Sequence, residues 1–463
     1  MPGRPARAKA RRAFLNAFFR AIVQGPAGQG LRRGGSVYDE TSLIRFLASG
    51  DGKSVLRELY GEDAAARQEG RWTGLAREFF GGEGGDTARV ISSPGRSELG
   101  GNHTDHNHGR VLCAAVHMDI LAFAAPRNDG KAVLRSRGWD KPFVVDLNDL
   151  QPRAEERGRT EALIRGVAAS LVKRGGKIGG FYALADSSVP AGSGLSSSAA
   201  FELLIGQLQN ALYNGGSRGP EELAIIGKEA ENEYFGKPCG LMDQMASALG
   251  AISAIDFNDP AKPSWRRVGF DLHKAGYALA IVNAGDSHED LTDEYSSIPS
   301  DMKAIAGFFG KPVLRGIAEA DLLDNAAALR AKAGDRAFLR ALHFAAEDQR
   351  AAAMADSLDG GDLAGFLKLV RESGDSSWRL LQNVLPSGAT RSQAVACAIA
   401  LSQRFLGSEG AVRVHGGGFA GTIQAYLPLG RERAYIDFMN GALGTGAASI
   451  MHIRPRGAME VTI

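Results

Sequence analysis

Apolar residues recur along the chain in two periods. Spacings of three and four predict short helices over 42–48, 55–60 and 72–80, the last closed by Gly81 and Gly82. The same spacing predicts helices over 161–173, from Ala199 onward, and over 220–234, 318–331, 336–356, 363–373 and 392–403. Short strand-like runs lie at 88–92, 132–134, 143–147, 180–185, 251–256, 277–283, 411–414, 422–427 and 449–453. The longer apolar run 111–125 reads as paired strands, and the polar stretch 94–110 before it reads as a loop. Strands and helices are mixed but segregated, which predicts an α+β protein in two halves joined near residue 258. There is no internal repeat.

Near the start, Phe14, Leu15, Phe18, Phe19 and Ile22 share one helical face behind a basic stretch. Asn16 and Arg20 interrupt it, so it does not read as a secretory signal; it reads as a helix packing on the body of the protein, with a targeting or surface helix as the alternative. No run of 18 apolar residues occurs, so no membrane-spanning helix is expected. Lys plus Arg (54) nearly equals Asp plus Glu (52), which gives no support for nucleic-acid binding. Three cysteines with no Cys-x-x-Cys pair argue for a reducing compartment and against a disulfide framework. Glycine is abundant, 60 of 463 residues, and much of it falls in discrete loops.

One of these loops runs from Pro190 to Ser198 and opens directly into an apolar helix. A Gly/Ser loop that starts a helix leaves backbone N–H groups unpaired at the positive end of the dipole, which makes a site for phosphate. A flexible loop before a capped helix is the other reading of the same residues. The stretch 94–109 carries Arg96, Asn102, His103, Asp105, His106, Asn107 and His108. Its histidines lack the spacing and second cluster of a zinc site, so it reads as a binding loop for a hydroxyl-rich substrate. Glu231 lies on a polar helical face with Glu229 and Glu233. Asp243 stands in an apolar context after the Gly240 turn, either capping a helix or held for chemistry. A third cluster, Gly416-Gly417-Gly418, follows His415.

Taken together, Pro94-Gly95-Arg96 with His103-Thr104-Asp105, then Pro190 to Ala199, then Gly416 to Gly421 resemble the three motifs of galactokinases in order and content. These belong to the galacto-, homoserine, mevalonate and phosphomevalonate kinase family. Glu231 with Phe235, Gly236 and Pro238 to Gln244 resembles the galactokinase segment carrying the catalytic aspartate. Asn283-Ala284-Gly285 with His288 and Tyr295, and His343 with Glu347, add to the likeness. The resemblance implies a two-domain α+β sugar kinase with ATP and sugar in the cleft between domains. Residues 1–85 would form a helical extension, 86–257 the N-terminal kinase domain and 258–463 the C-terminal one.

The resemblance also implies roles. Asp243 would take the proton of the sugar's anomeric hydroxyl, and Arg96 would stabilise that oxygen or the aspartate. Gly192, Ser193, Gly194, Leu195, Ser196, Ser197 and Ser198 would wrap the ATP phosphates. Ser198 and Glu231 would hold Mg²⁺. Asn102, His103, Asp105, Gly240 and Tyr295 would face the sugar, and Gly416 to Gly418 would support the nucleotide side. The implied partners are a small sugar and ATP, without nucleic acid or membrane, in the cytoplasm. The loop is not a Walker A, because no Gly-Lys-Ser/Thr ends it.

Four sites depart from the family pattern, and the region before residue 88 is longer than is typical. Asn102 stands where a glutamate usually precedes His-Thr-Asp, near the sugar's C6 hydroxyl. Loss of that carboxylate removes repulsion against a C6 carboxylate, so galacturonate is an alternative substrate. Ser97 to Gly100 replaces a more apolar stretch, and Thr160 stands near a missing adenine-side aromatic. His415 to Gly418 replaces a Thr-Gly-Ala-Gly pattern. A non-catalytic galactose sensor is a further alternative, weakened by the complete Ser196-Ser197-Ser198 run.

Overall fold

The computed structural model describes residues 36–190, 192, 194–285 and 291–462. The amphipathic stretch at 14–22, Ser193 and His288 lie outside these residues. Three helices come first: α1 (Glu40–Ala48), α2 (Gly50–Tyr60) and α3 (Glu62–Gly81). Asp39 and Ser49 start the first two by accepting the backbone N–H of Ser42 and Gly52. Leu43, Leu59, Trp72, Leu75 and Phe79 of these helices pack on Val90, Leu121, Phe123, Tyr182 and Leu184. The segment therefore covers one face of a sheet.

That sheet contains β1 (Arg89–Gly100), β2 (Arg110–Arg127), β3 (Lys131–Ser136), β4 (Phe143–Asp146), β5 (Gly180–Ser187), β6 (Ile252–Asp256) and β7 (Ser264–Val268). A smaller sheet contains β8 (Tyr277–Asn283), β9 (Ala411–His415), β10 (Thr422–Pro428) and β11 (Ala448–Met451), and β12 (Met459–Glu460) returns to the larger one. The strand order is β12-β1-β2-β5-β3-β4, with β6 added beside β2 and β7 beside β6; the smaller sheet runs β11-β8-β10-β9. Among the described residues, only β3 and β5 pair in parallel. Both β7 and β12 follow residue 258 yet belong to the larger sheet.

Two expectations are corrected here. The strand predicted over 88–92 continues through Pro94 and Gly95 to Gly100, with register shifts at Pro94/Arg96 and Glu98/Gly100. A proline is tolerated where a bulge interrupts the ladder. The apolar run 111–125 is one strand, not a pair. Opposite β1 it is matched first by β6 and then by β5, so both of its edges are paired.

The other face of the large sheet carries α4 (Thr160–Lys173), α5 (Ser197–Tyr213), α6 (Pro220–Glu229) and α7 (Met242–Leu249). The helix predicted over 220–234 widens into a π turn over Ala230–Phe235. Beyond residue 290 the chain is mainly helical: α8 (Thr292–Phe308), α9 (Glu319–Asp324), α10 (Ala326–Ala333), α11 (Asp335–Asp359), α12 (Leu363–Ser376), α13 (Ala394–Leu406) and α14 (Glu432–Leu443). The pair α9 and α10 replaces the single helix predicted over 318–331.

A buried charge cluster ties the first helices to the sheet. Arg71 meets Asp119 at 2.7 Å, and the Tyr60 hydroxyl donates to the same carboxylate at 2.7 Å. Arg454, from the C-terminal end, approaches it at 3.4 Å. Burial alone would raise the pKa of Asp119, but Arg71 and Arg454 outweigh it and hold it below the ordinary value.

Candidate active site

The Gly/Ser loop leads from β5 into α5. Ser196 precedes the helix in the left-handed region, φ 56°, and no side chain caps the helix. The Ser196 hydroxyl is turned away and donates instead to Asp243 Oδ2. This leaves the first N–H groups of α5 available to an anion. Two contacts from β1 hold the loop. The backbone N–H of Arg96 donates to the Leu195 carbonyl at 3.0 Å, and the Arg96 guanidinium donates to the Gly194 carbonyl. Gly194 has φ +68°, and a Cβ there would lie 2.5 Å from Thr422 Oγ1. Only glycine suits that turn.

The bulge in β1 aims Arg96 at Asp243, the second residue of α7. Arg96 Nε donates to Asp243 Oδ1 at 2.7 Å, and Nη2 lies at the same distance from that oxygen. The arginine side chain is 6% exposed and the aspartate 29%, so the carboxylate keeps an open side. Burial pushes the Asp243 pKa up, but Arg96 and the Ser196 hydroxyl together bring it below the ordinary 3.8. Asp243 is ionised at neutral pH.

Behind the loop, Ser198 Oγ donates to Glu231 Oε1 at 3.0 Å. Glu231 sits on the π turn and is 2% exposed. Its Oε1 also meets Lys237 Nζ at 3.1 Å, and its Oε2 accepts from Gln244 Nε2 at 3.0 Å. The same Gln244 nitrogen donates to Glu202 Oε2 at 2.9 Å. Burial and the nearby Glu231 push the Glu202 pKa well above the usual carboxylate range.

The polar loop between β1 and β2 lies against the glycine turn after β9. His103 Nε2 contacts the Gly417 carbonyl at 3.0 Å, and burial pushes its pKa down to about 4, so the ring is neutral. The Tyr295 hydroxyl donates to the Gly418 carbonyl at 2.9 Å. The Asp105 carboxylate lies so close to Gly240 that a Cβ at residue 240 would collide with it. Asn102 is fully buried, and its amide is paired inside the protein. Its Nδ2 donates to Glu98 Oε1 (3.1 Å) and the Gly416 carbonyl (2.8 Å), while its Oδ1 accepts from Asn383 (2.8 Å). From α11, His343 and Glu347 reach the backbone of this loop. His343 Nε2 is 2.9 Å from the Asn102 carbonyl, and Glu347 Oε1 accepts the Gly101 N–H at 3.0 Å.

The structure thus brings Arg96, Gly194, Ser196 and Asp243 together, with Ser198 and Glu231 as a second group. His103, Asp105, Gly240 and Tyr295 belong to the loop side. Ser193 lies outside the described residues. Sequence reasoning gave no role to Lys237, Gln244 and Glu202. A glutamine and a glutamate inside apolar helical runs were the available signal. It also passed over the buried pair of Glu98 and Arg413, 2.6 Å apart, one partner of which is Asn102.

The residues at 198 and 231 suit magnesium. A hydroxyl and a carboxylate are hard oxygen donors, and Lys237 already places a cation against Glu231 Oε1. Among the described residues no group of three His, Cys, Asp or Glu could hold a metal alone.

Comparison with known proteins follows the same lines. Residues 162–251 match the model for the N-terminal domain of GHMP kinases, and residues 77–126 match the galactokinase galactose-binding signature. A galactokinase of Actinobacillus pleuropneumoniae is 30% identical over 350 residues, 75% of this chain and 87% of that protein. The crystal structure of Lactococcus lactis galactokinase complexed with galactose superposes with a TM-score of 0.72 at 24% identity, covering 85% of this chain and 99% of that one. The mevalonate kinase of Methanococcus jannaschii gives a TM-score of 0.57 at 15% identity, covering 79% and 98%. The fold is therefore the α+β fold of the galactokinase type, built on two sheets. Among the described residues no helix is long and apolar enough to cross a membrane.

Proposed function

The chain belongs to the galactokinase family, and from that premise we propose that it transfers the terminal phosphoryl group of ATP to the anomeric hydroxyl of D-galactose, with Asp243 as base. The observation that carries this reading is the Arg96–Asp243–Ser196 cluster at the start of α5. It sets an ionised carboxylate beside free helix N–H groups.

Phosphoryl transfer demands positioning and charge stabilisation more than bond-making by the protein. The N–H groups at the start of α5, with residues 192–198, bind and orient the phosphates. Ser198 and Glu231 would hold a magnesium ion, which when bound would neutralise phosphate charge. His103, Asp105, Gly240 and Tyr295 orient the sugar so that its anomeric hydroxyl meets the open side of Asp243. Arg96 keeps that carboxylate ionised and aimed. A carboxylate with a lowered pKa is a weak base. In a loose transition state the hydroxyl proton leaves late, when the oxygen is already bonding to phosphorus and is far more acidic. Asp243 then receives the proton on an oxygen atom facing the sugar.

Residues 86–257 supply the base and the phosphate loop, residues 258–463 supply Tyr295 and the glycine turn, and residues 36–85 act as scaffold. A cytoplasmic location suits an ATP-dependent reaction and the free thiols of Cys113, Cys239 and Cys397. The galacturonate and sensor readings are not favoured. The galactose-binding signature spans Asn102, and Asp243 is in contact with both Arg96 and Ser196. The test is ATP turnover by the purified protein with Mg²⁺ on D-galactose and on D-galacturonate. Turnover with galactose is expected. Turnover with galacturonate alone, or with neither sugar, would overturn the proposal.

A further inference from the structure

We propose that Gln244 is a positioning residue: anchored on Glu202, its side-chain amide fixes the carboxylate of Glu231 and so sets the magnesium-dependent grip on the nucleotide. The inference rests on the reading of Ser198 and Glu231 as the metal-side donors.

The amide nitrogen of Gln244 carries two N–H groups. One meets Glu202 Oε2 at 2.9 Å and the other Glu231 Oε2 at 3.0 Å. Gln244, Glu202 and Glu231 are 0%, 1% and 2% exposed. Glu202 belongs to α5, Gln244 to α7 and Glu231 to the π turn after α6, so one amide joins three elements. The backbone of α6 closes the space behind them. A Cβ on Gly227 would lie 3.0 Å from Glu202 Oε2 and 3.3 Å from Gln244 Cγ.

This arrangement decides which oxygen of Glu231 is available. Oε2 is held by Gln244, while Oε1 is turned toward Ser198 and Lys237. Without the amide, two buried carboxyl groups would face each other beside the Cys239 thiol, which lies 3.8 Å from the Gln244 nitrogen, and Glu231 would swing away from Ser198. Among the described residues, Glu202 Oε1 and Gln244 Oε1 have no hydrogen-bond partner. The link between Glu202 and Gln244 therefore depends on the amide nitrogen. Because Gln244 follows Asp243 directly, the same side chain also links the metal-side carboxylate to the helix turn that carries the base. Groups that orient a metal's ligands typically change its affinity or the activity by ten- to a hundredfold when removed.

The test is calorimetric binding of a non-hydrolysable ATP analogue, with Mg²⁺ and with EDTA, to the full chain and to Gln244→Met. Galactose KM is measured in parallel. The wild type should bind the analogue more tightly with Mg²⁺. Gln244→Met should lose about tenfold or more of that gain, with affinity in EDTA and galactose KM within about twofold of wild type. Gln244→Asn keeps an amide too short to span both carboxylates and should behave alike, so a poorly folding methionine variant does not end the test. Equal losses with and without Mg²⁺, or no loss, overturn the inference and leave the reading of the site intact. A wild type whose affinity ignores Mg²⁺ overturns both.

Discussion

At the scale of single residues, the chemistry depends on how Asp243 stays ionised in a half-enclosed place. Burial is the largest influence on it and opposes the charge. Arg96 is the next, and with Ser196 it reverses the outcome. Arg96→Met leaves burial less opposed, so the pKa must rise. The ionised form is the active one, so activity falls as the pH drops through that pKa. In the wild type this acid limb lies below the ordinary 3.8 of an aspartate. In Arg96→Met it should move upward, with kcat reduced by about a hundredfold or more. The pH dependence of kcat/KM checks this, and an unshifted limb would contradict it. The sequence marked Asp243 and Arg96 through the family motifs. Their contact at 2.7 Å was not legible, because it depends on a bulge 147 positions away in the chain. Asn102 shows the reverse limit. As a departure it looked like an opening toward a new substrate, whereas in the fold its amide is wholly engaged by Glu98, Gly416 and Asn383.

At the scale of elements, the start of α5 carries the nucleotide argument. Its legibility came from glycine and serine followed by an apolar period, a local pattern that needs no tertiary information. Gly194→Ala places a side chain at φ +68° and 2.5 Å from Thr422 Oγ1. Strain of about 1–3 kcal/mol is expected, hence a rise in KM for ATP of roughly ten- to a hundredfold. Unchanged ATP kinetics would show that the turn is not needed in this form. Other elements were harder to read for identifiable reasons. Pro94 and Gly95 signal a loop, yet pairing with β2 carries β1 past them to Gly100. Pro299 hid α8, where it is accommodated within the helix. The π turn at Ala230–Phe235 was invisible because helical periodicity runs straight into it, and it is this turn that presents Glu231.

At the scale of the molecule, the site lies where elements remote in sequence converge. Arg96 comes from β1 of the large sheet, Ser196 from the residue before one helix on a face of that sheet and Asp243 from the first turn of another. The glycine turn comes from the smaller sheet and Tyr295 from α8. The opposite face is covered by α1 to α3, which the sequence showed as helices without chemistry. Their purpose became visible only through Arg71, Tyr60 and the buried Asp119. The α+β class and the kinase architecture were legible from the motifs. The passage of β7 and β12 back to the larger sheet was not, since β7 is largely exposed and β12 is only two residues long, and neither carries a periodic signal.

The most direct test of the central claim is the rate of ATP-dependent phosphorylation of D-galactose by Asp243→Asn beside wild type, with ATP binding measured on both. The account predicts turnover lower by at least about a hundred- to ten-thousandfold with ATP affinity within a few-fold of wild type. Near-normal turnover by Asp243→Asn would contradict it.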